Sequence, residues 1–345
     1  MKPIFGHRFA SVAIVSGLAV WLSGCYYMQA ARGQFEVMRK REPISEVINA
    51  EETPVEIADR LRILEQARQF SIDELGLPDN NSYRSFADLE RDYVLWNVIA
   101  APEFSLEPKR WCYPVVGCVS YRGYFDEDAA RRLGDKLTKD GYDVVVGGVA
   151  AYSTLGRFSD PILNTMLHWE DVDLVAVMFH ELAHQVVYVK DDTGFNESFA
   201  TAVEEIGIER WLMDAGRESE VAAYNERRSL QQRLMALVAA TRIDLEDIYT
   251  LTSDADRRLR KRQRLTQLSG DARLEFEAAN RKLPEWWSED LNNARLATMT
   301  LYQGLLPKFH ALLAQCTNEL ECFYTEVEAL SQLDKDARDA RLKNL

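Results

Sequence analysis

Apolar residues recur at helical spacing over long stretches of this chain and at strand spacing over only a few. Between Thr53 and Leu75, the residues Val55, Ile57, Ala58, Leu61, Ile63, Leu64, Ala67 and Phe70 mark an amphipathic helix that Gly76 and Pro78 end. Branched and aromatic residues dominate Tyr93–Ala100 and Trp111–Tyr121, which read as strands. A helix is expected over Asp126–Lys139 and a further strand over Tyr142–Tyr152. The run Asp173–Tyr188 is apolar nearly all round. Val175, Met178, Phe179, Leu182 and Val186 form a helical stripe, and Ala176, Val177, Ala183 and Val187 fill the other side, so a buried helix is expected. Beyond it the pattern is helical throughout, with helices at roughly 197–215, 217–241, 244–268, 271–281, 288–316 and 319–341. This order predicts an α+β fold: a mixed β-sheet in residues 46–170, packed against the helices of residues 171–345 as one unit.

The N-terminus has its own pattern. Met1–Arg8 is short and basic, and Phe9–Leu22 is an apolar stretch too short to span a bilayer comfortably. Residues 1–24 therefore read as a signal peptide; an uncleaved membrane helix from about Phe5 to Tyr27 is the alternative. Leu22-Ser-Gly-Cys25 resembles the bacterial lipobox. That resemblance implies that Cys25 becomes the lipid-modified first residue, with residues 25–45 as a polar tether. Tyr26 in the next position, rather than aspartate, points to the outer membrane and the periplasm of a host with two membranes.

Composition agrees with export. Apart from Cys25, the cysteines are Cys112, Cys118, Cys316 and Cys322, two local pairs of equal spacing. In an oxidising compartment each pair can close a small loop, cross-pairing being the alternative. The formal net charge is −14, and removal of Lys2 and Arg8 with the signal peptide takes it to −16. So acidic a chain is a poor partner for nucleic acid or an anionic membrane. The exception is the basic run Asp256-Arg-Arg-Leu-Arg-Lys-Arg-Gln-Arg264. It reads as a solvated helix face neutralised by nearby acids, a phosphate or headgroup contact being the other reading.

The buried helix carries the chemistry. Its residues 180–184 are His-Glu-Leu-Ala-His. Two histidines four apart lie on one helix face about 6 Å apart along the axis, so both imidazoles can bind one metal ion. Burying two histidines and a glutamate in an apolar helix is costly unless they are paired or bind a metal. A hydrolytic zinc site needs three protein ligands and an open position for water. Tyr188–Phe195 reads as a turn, after which Asn196-Glu-Ser-Phe-Ala-Thr201 opens a second helix with Glu197 in its first turn, facing back towards the histidines. Glu197 is the expected third ligand; Glu204 and Glu205 are alternatives. Glu181, beside the first histidine, is the expected general base.

His180-Glu-Leu-Ala-His184 followed by Asn196-Glu-Ser-Phe-Ala200 resembles the gluzincin class of zinc peptidases, with a spacer of twelve residues that is short for that class. From about Cys25 to the last helix, the chain resembles the bacterial putative-aminopeptidase family of lipoproteins. Cys118-Val-Ser-Tyr-Arg-Gly-Tyr-Phe125, Ala151–Gly156 with Asp160-Pro161, and Asn292–Leu296 contribute to that likeness. The resemblance implies a zincin-like fold, one Zn²⁺ per chain, a peptide substrate and a place in the cell envelope. It also implies a tyrosine or histidine that stabilises the developing oxyanion. Tyr152 and Tyr302 are preferred for that role over Tyr188, Tyr224, His168 and His310. The strand at Gly147-Gly148-Val-Ala-Ala-Tyr152 is expected to offer an edge to extended substrate, a bulged buried strand being equally consistent. It lacks the carboxylate that membrane alanyl aminopeptidases carry there to hold a free amino group. Three readings therefore stand: an aminopeptidase, an endopeptidase of envelope proteins, or a non-catalytic lipoprotein stabilised by zinc.

Overall fold

A computed structural model describes residues 26–113, 117–288, 291–301 and 305–345, so the signal peptide, Cys25 and Tyr302 lie outside the described residues. Residues 26–45 are not the polar tether expected. Residues 26–39 form a helix, α1, followed by strand β1 (Arg41–Pro43) and helix α2 (Ile44–Asn49). The reason lies in a sparse apolar set: Val37, Ile44 and Val47 are buried, and Gly33 lies so close to the Phe125 ring that any Cβ would overlap it.

Helix α3 (Val55–Asp73) buries Ala58, Leu61, Leu64 and Ala67. It also buries Arg68, whose guanidinium donates to the carbonyls of Pro78, Asn80 and Ser82 and so holds the following loop. Strand β2 (Ser85–Ala87) pairs antiparallel with β1 and parallel with β8 (Ile162–Leu163). This small mixed sheet went unforeseen because strands of two or three residues carry no readable alternation.

The larger sheet has the order β6-β3-β7 and is antiparallel throughout, not mixed. Its strands are β3 (Leu95–Pro102), β6 (Arg122–Tyr124) and β7 (Tyr142–Val149). Between β3 and β6, β4 (Trp111–Tyr113) and β5 (Gly117–Val119) form a hairpin in which Cys112 sits opposite Cys118 and is bonded to it. Helix α4 (Glu127–Lys139), capped by Asp126, packs across β3 and β7 with Gly134 against Val146. β7 is an edge strand, yet Gly148 is explained by the Tyr93 ring stacked on it.

The helical half begins with α5 (Asp171–Ala183) and α6 (Thr193–Asp214). His184 meets Glu197, His180 meets Glu204 and Phe179 meets Gly207, so the two helices run antiparallel. Their apolar faces form the centre of the main core with Leu61, Leu64, Phe309 and Phe323. Helices α7 (Glu218–Tyr249) and α8 (Asp254–Ala278) follow as a long pair with a second core of their own. The breaks expected near residues 242 and 270 are absent. The chain turns instead at Thr250–Ser253, where Ser253 caps α8. No proline interrupts 241–244, and Gly270 is an exposed position that a long helix tolerates for about 1 kcal/mol.

The basic run lies on α8, and four of its six cations are met: Arg257 by Asp254, Arg258 by Glu103, Lys261 by Asp143 and Arg264 by Asp244. Helices α9 (Glu285–Ser288), α10 (Asn293–Leu301), α11 (Leu306–Gln315), α12 (Leu320–Ser331) and α13 (Lys335–Lys343) complete the chain. Cys316 is bonded to Cys322 across the α11–α12 turn. Among the described residues, no helix is long and apolar enough to cross a membrane.

Candidate metal centre

The turn between α5 and α6 is short and firmly tied. Asn196 accepts the Val189 N–H at 2.7 Å and donates to the Val189 carbonyl at 2.8 Å, clamping the chain that leaves α5 to the first turn of α6. Asp192 caps α6 through the Phe195 N–H, and its other oxygen takes the buried Arg338 guanidinium at 2.6 Å. Breaking such a buried pair from one side costs about 3–5 kcal/mol. The start of α6, and Glu197 with it, is therefore fixed from both the preceding loop and the C-terminal helix.

This anchoring sets three side chains against one another. Glu197 Oε2 lies 3.2 Å from His180 Nε2 and 3.7 Å from His184 Nε2. One ligand atom from each of His180, His184 and Glu197 falls within 4.8 Å of the other two. Ligands at about 2.05 Å around a tetrahedral zinc ion stand about 3.3 Å apart, so the donor set fits such an ion in both chemistry and spacing. The opposite ring nitrogen of His180, Nδ1, lies 3.0 Å from Glu204 Oε2. That contact makes Nδ1 a donor to Glu204, so that with a metal bound the Nε2 lone pair would be left for the ion. His184 Nδ1 is buried without a partner among the described residues.

Charge reinforces the arrangement. Burial works to raise the Glu197 carboxyl, but the hydrogen bonds from His180 and His184 outweigh it and hold it at about 2. Burial disfavours a charged His180, yet Glu197 and Glu204 together push its pKa well above the usual histidine value. Without a cation between them, these groups must hold a proton to offset two carboxylates. Glu181 is different: burial raises its carboxyl above the ordinary range, with the two histidines opposing. A carboxyl so raised is a better proton acceptor than an exposed one.

A cavity of about 380 Å³ opens over this cluster. Leu95 and Asn97 of β3, Gly123 of β6 and Val149 at the end of β7 line one side, and His180, Glu181, His184 and Glu197 the other. Of the tyrosines named from sequence, Tyr152 lines the cavity, but its hydroxyl donates to Gln34 at 2.6 Å. Tyr188 also lines it, with its ring 6.4 Å from that of His184. Tyr224 lies behind the site against Arg227 and Arg228, and His168 packs on Trp169. His310 is bound to Glu205, which Arg228 also holds, so neither His310 nor Glu205 is free to serve the cavity.

Sequence reasoning missed Tyr121. It lines the cavity, and its hydroxyl is pushed up first by burial and then by the charges of Glu197, Tyr188 and Glu181. It therefore stands within electrostatic reach of both carboxylates. Its position directly before β6, in a stretch rich in tyrosine, carried no sign of which ring would turn inward.

Fold and site together define an α+β protein whose central helix pair presents two imidazoles and a carboxylate, able to hold a metal ion, beside a buried glutamate. The chain belongs to the family described as "putative aminopeptidase", which it matches over residues 25–342. Neither a curated protein nor a solved structure gives a significant match.

Proposed function

We propose that the protein is a zinc-dependent peptidase of the zincin-like, gluzincin type, with aminopeptidase activity, held at the bacterial cell envelope by a lipid on Cys25. On this reading it faces the periplasm from the outer membrane. The observation that carries the catalytic part is the convergence of His180, His184 and Glu197 within ligand distance of one another, with buried Glu181 lining the same cavity. Family membership supports the peptidase reading. A structural zinc site has four protein ligands and no use for a base, so the three-donor set beside Glu181 speaks against a purely structural centre.

When bound to these ligands, Zn²⁺ supplies Lewis acidity for the peptide carbonyl and for water. The side chains do the rest. Glu181 accepts a proton from the attacking water and returns it to the leaving amine, its raised pKa suiting both transfers. Glu204 holds His180 in one tautomer and one orientation. Tyr121 is the preferred donor to the developing oxyanion, with Tyr188 second, because both lie in the cavity within reach of the Glu197 charge. The Tyr152 hydroxyl is engaged with Gln34 and ranks below them.

One observation favours endopeptidase action as a second reading. Among the described residues that line the cavity, the only carboxylates are Glu181 and Glu197, so none is spare to receive a substrate ammonium group. Cleavage of a peptide with a free amino terminus, compared with the same peptide acetylated, separates the two. Strong preference for the free peptide supports aminopeptidase action, whereas equal rates overturn it.

A further inference from the structure

The outward face of α1 is unlike the rest of this acidic chain. At 100° per residue, Tyr27, Met28, Ala31, Arg32, Phe35 and Arg39 fall within an arc of about 140°, opposite the inward side chains Tyr26, Ala30, Gly33 and Val37. Met28 is 72% exposed, Phe35 65% and Tyr27 48%. Arg32 and Arg39 stand among them, and that arc contains no carboxylate; the helix's one acid, Glu36, is turned aside to Arg91. Large exposed apolar side chains flanked by arginines and free of acids are what a helix lying in a membrane interface presents.

The opposite side of the same helix is fixed to the cleft. The Tyr26 ring stacks on Tyr113 with its hydroxyl 3.1 Å from the Tyr113 hydroxyl, and the Arg122 guanidinium lies 4.0 Å over it. Gln29 accepts the Phe125 N–H, and Gln34 accepts from Tyr152. Tyr26 itself lines the cavity above the histidines. One peptide unit, 3.8 Å between Cα atoms, separates it from Cys25. There is no slack between the site of acylation and the wall of the cleft.

We propose that the exposed face of α1 docks on the lipid bilayer, Met28 and Phe35 entering the headgroup region and Arg32 and Arg39 meeting anionic headgroups. The occupant is a lipid surface for two reasons on the helix itself: the chain continues from its first residue directly to the acylated cysteine, and its exposed charges are positive in a chain of net charge −14. The acyl chains provide retention and the helix face provides orientation, so the cleft wall built on Tyr26 stands at the membrane surface and its substrates are chain segments presented there. This rests on the proposed function in taking Cys25 as the anchored residue and, for the substrates, in taking the cleft as the site of peptide hydrolysis.

Spin labels test it. Met28→Cys, Phe35→Cys and, as an aqueous control, Leu274→Cys on α8, itself 63% exposed, each add one free thiol for labelling. The full chain, processed with its anchor in a bacterial host, is reconstituted in phosphatidylethanolamine–phosphatidylglycerol vesicles. Labels at 28 and 35 should collide several-fold more with oxygen, relative to an aqueous nickel complex, than the label at 274. The Arg32→Glu/Arg39→Glu pair should abolish that difference while leaving the protein on the vesicles. Labels at 28 and 35 that report the same aqueous environment as position 274 overturn the proposal. Peptide hydrolysis by the same vesicles, measured with and without Glu181→Gln, reports on the proposed function separately, because docking does not require turnover.

Discussion

Gly207 sets the distance between the two helices that carry the candidate ligands, and Gly207→Ala tests whether that distance matters. A Cβ built at this position would stand 2.9 Å from both the Phe179 ring and the Leu75 methyl. Ordinary contact requires roughly 0.5 Å more on each side. Leu75 can rotate its terminal methyl, but Phe179 is a fully buried ring adjacent in sequence to His180. The displacement therefore passes into α5 at the residue before a proposed ligand. Two effects oppose each other. Alanine in a helix is favoured over glycine by about 1 kcal/mol. Overpacking a filled core costs about 1–3 kcal/mol. Packing should win, giving a net loss of up to about 2 kcal/mol in urea unfolding of chelator-treated protein. Zinc affinity, measured by competition with a chromogenic chelator, should fall several-fold although no ligand has been touched. A variant about 1 kcal/mol more stable than the parent, with unchanged zinc affinity, would refute the claim that this contact governs the site.

Three further outcomes are expected. Glu204→Gln should weaken zinc binding by about 10–100-fold while all three ligands remain, as loss of an orienting carboxylate does elsewhere; chelator competition measures it, and an unchanged affinity removes the orienting role. Glu181→Gln should keep its metal and lose turnover by about 10²–10⁴-fold, the usual worth of a general base; undiminished kcat rules that role out. In metal-free protein the Glu197 carboxyl is depressed to about 2, so its pairing with the histidines contributes stability that is complete above the ordinary glutamate range and is lost as pH falls towards 2. Acid titration of unfolding should therefore lose a limb between about pH 4.5 and 2 in Glu197→Gln. A limb that survives in that variant belongs to another group.

Much of the site could be read in the sequence because it is local. His180 and His184 share a helix face by their spacing alone, and a connection too short to travel far returns Glu197 to the same end of the pair. Glu204 was legible as a residue of interest but not by role. Only the packing of α6 on α5 shows that it lies on the far side of the His180 ring. Tyr121 was not legible at all, since its place depends on β6 pairing with β3, a contact between distant segments. Helix α1 was hidden because its apolar residues fall on both faces, Met28 and Phe35 outward and Val37 inward, and its anchors are a glycine and two glutamines whose partners lie far along the chain. The helix break at Thr250–Ser253 was misplaced because a serine cap is a weaker signal than a glycine, and here the glycine sits mid-helix.

The central claim is that one metal ion is held by His180, His184 and Glu197. Metal analysis of the intact protein, with X-ray absorption at the zinc edge, tests it most directly. The account predicts one zinc per chain, bound by two imidazole nitrogens and by oxygen without sulfur, and loss of that zinc in His184→Ala while the fold persists. A folded, zinc-supplied protein that retains no metal, or whose zinc stays in place in His184→Ala, contradicts it.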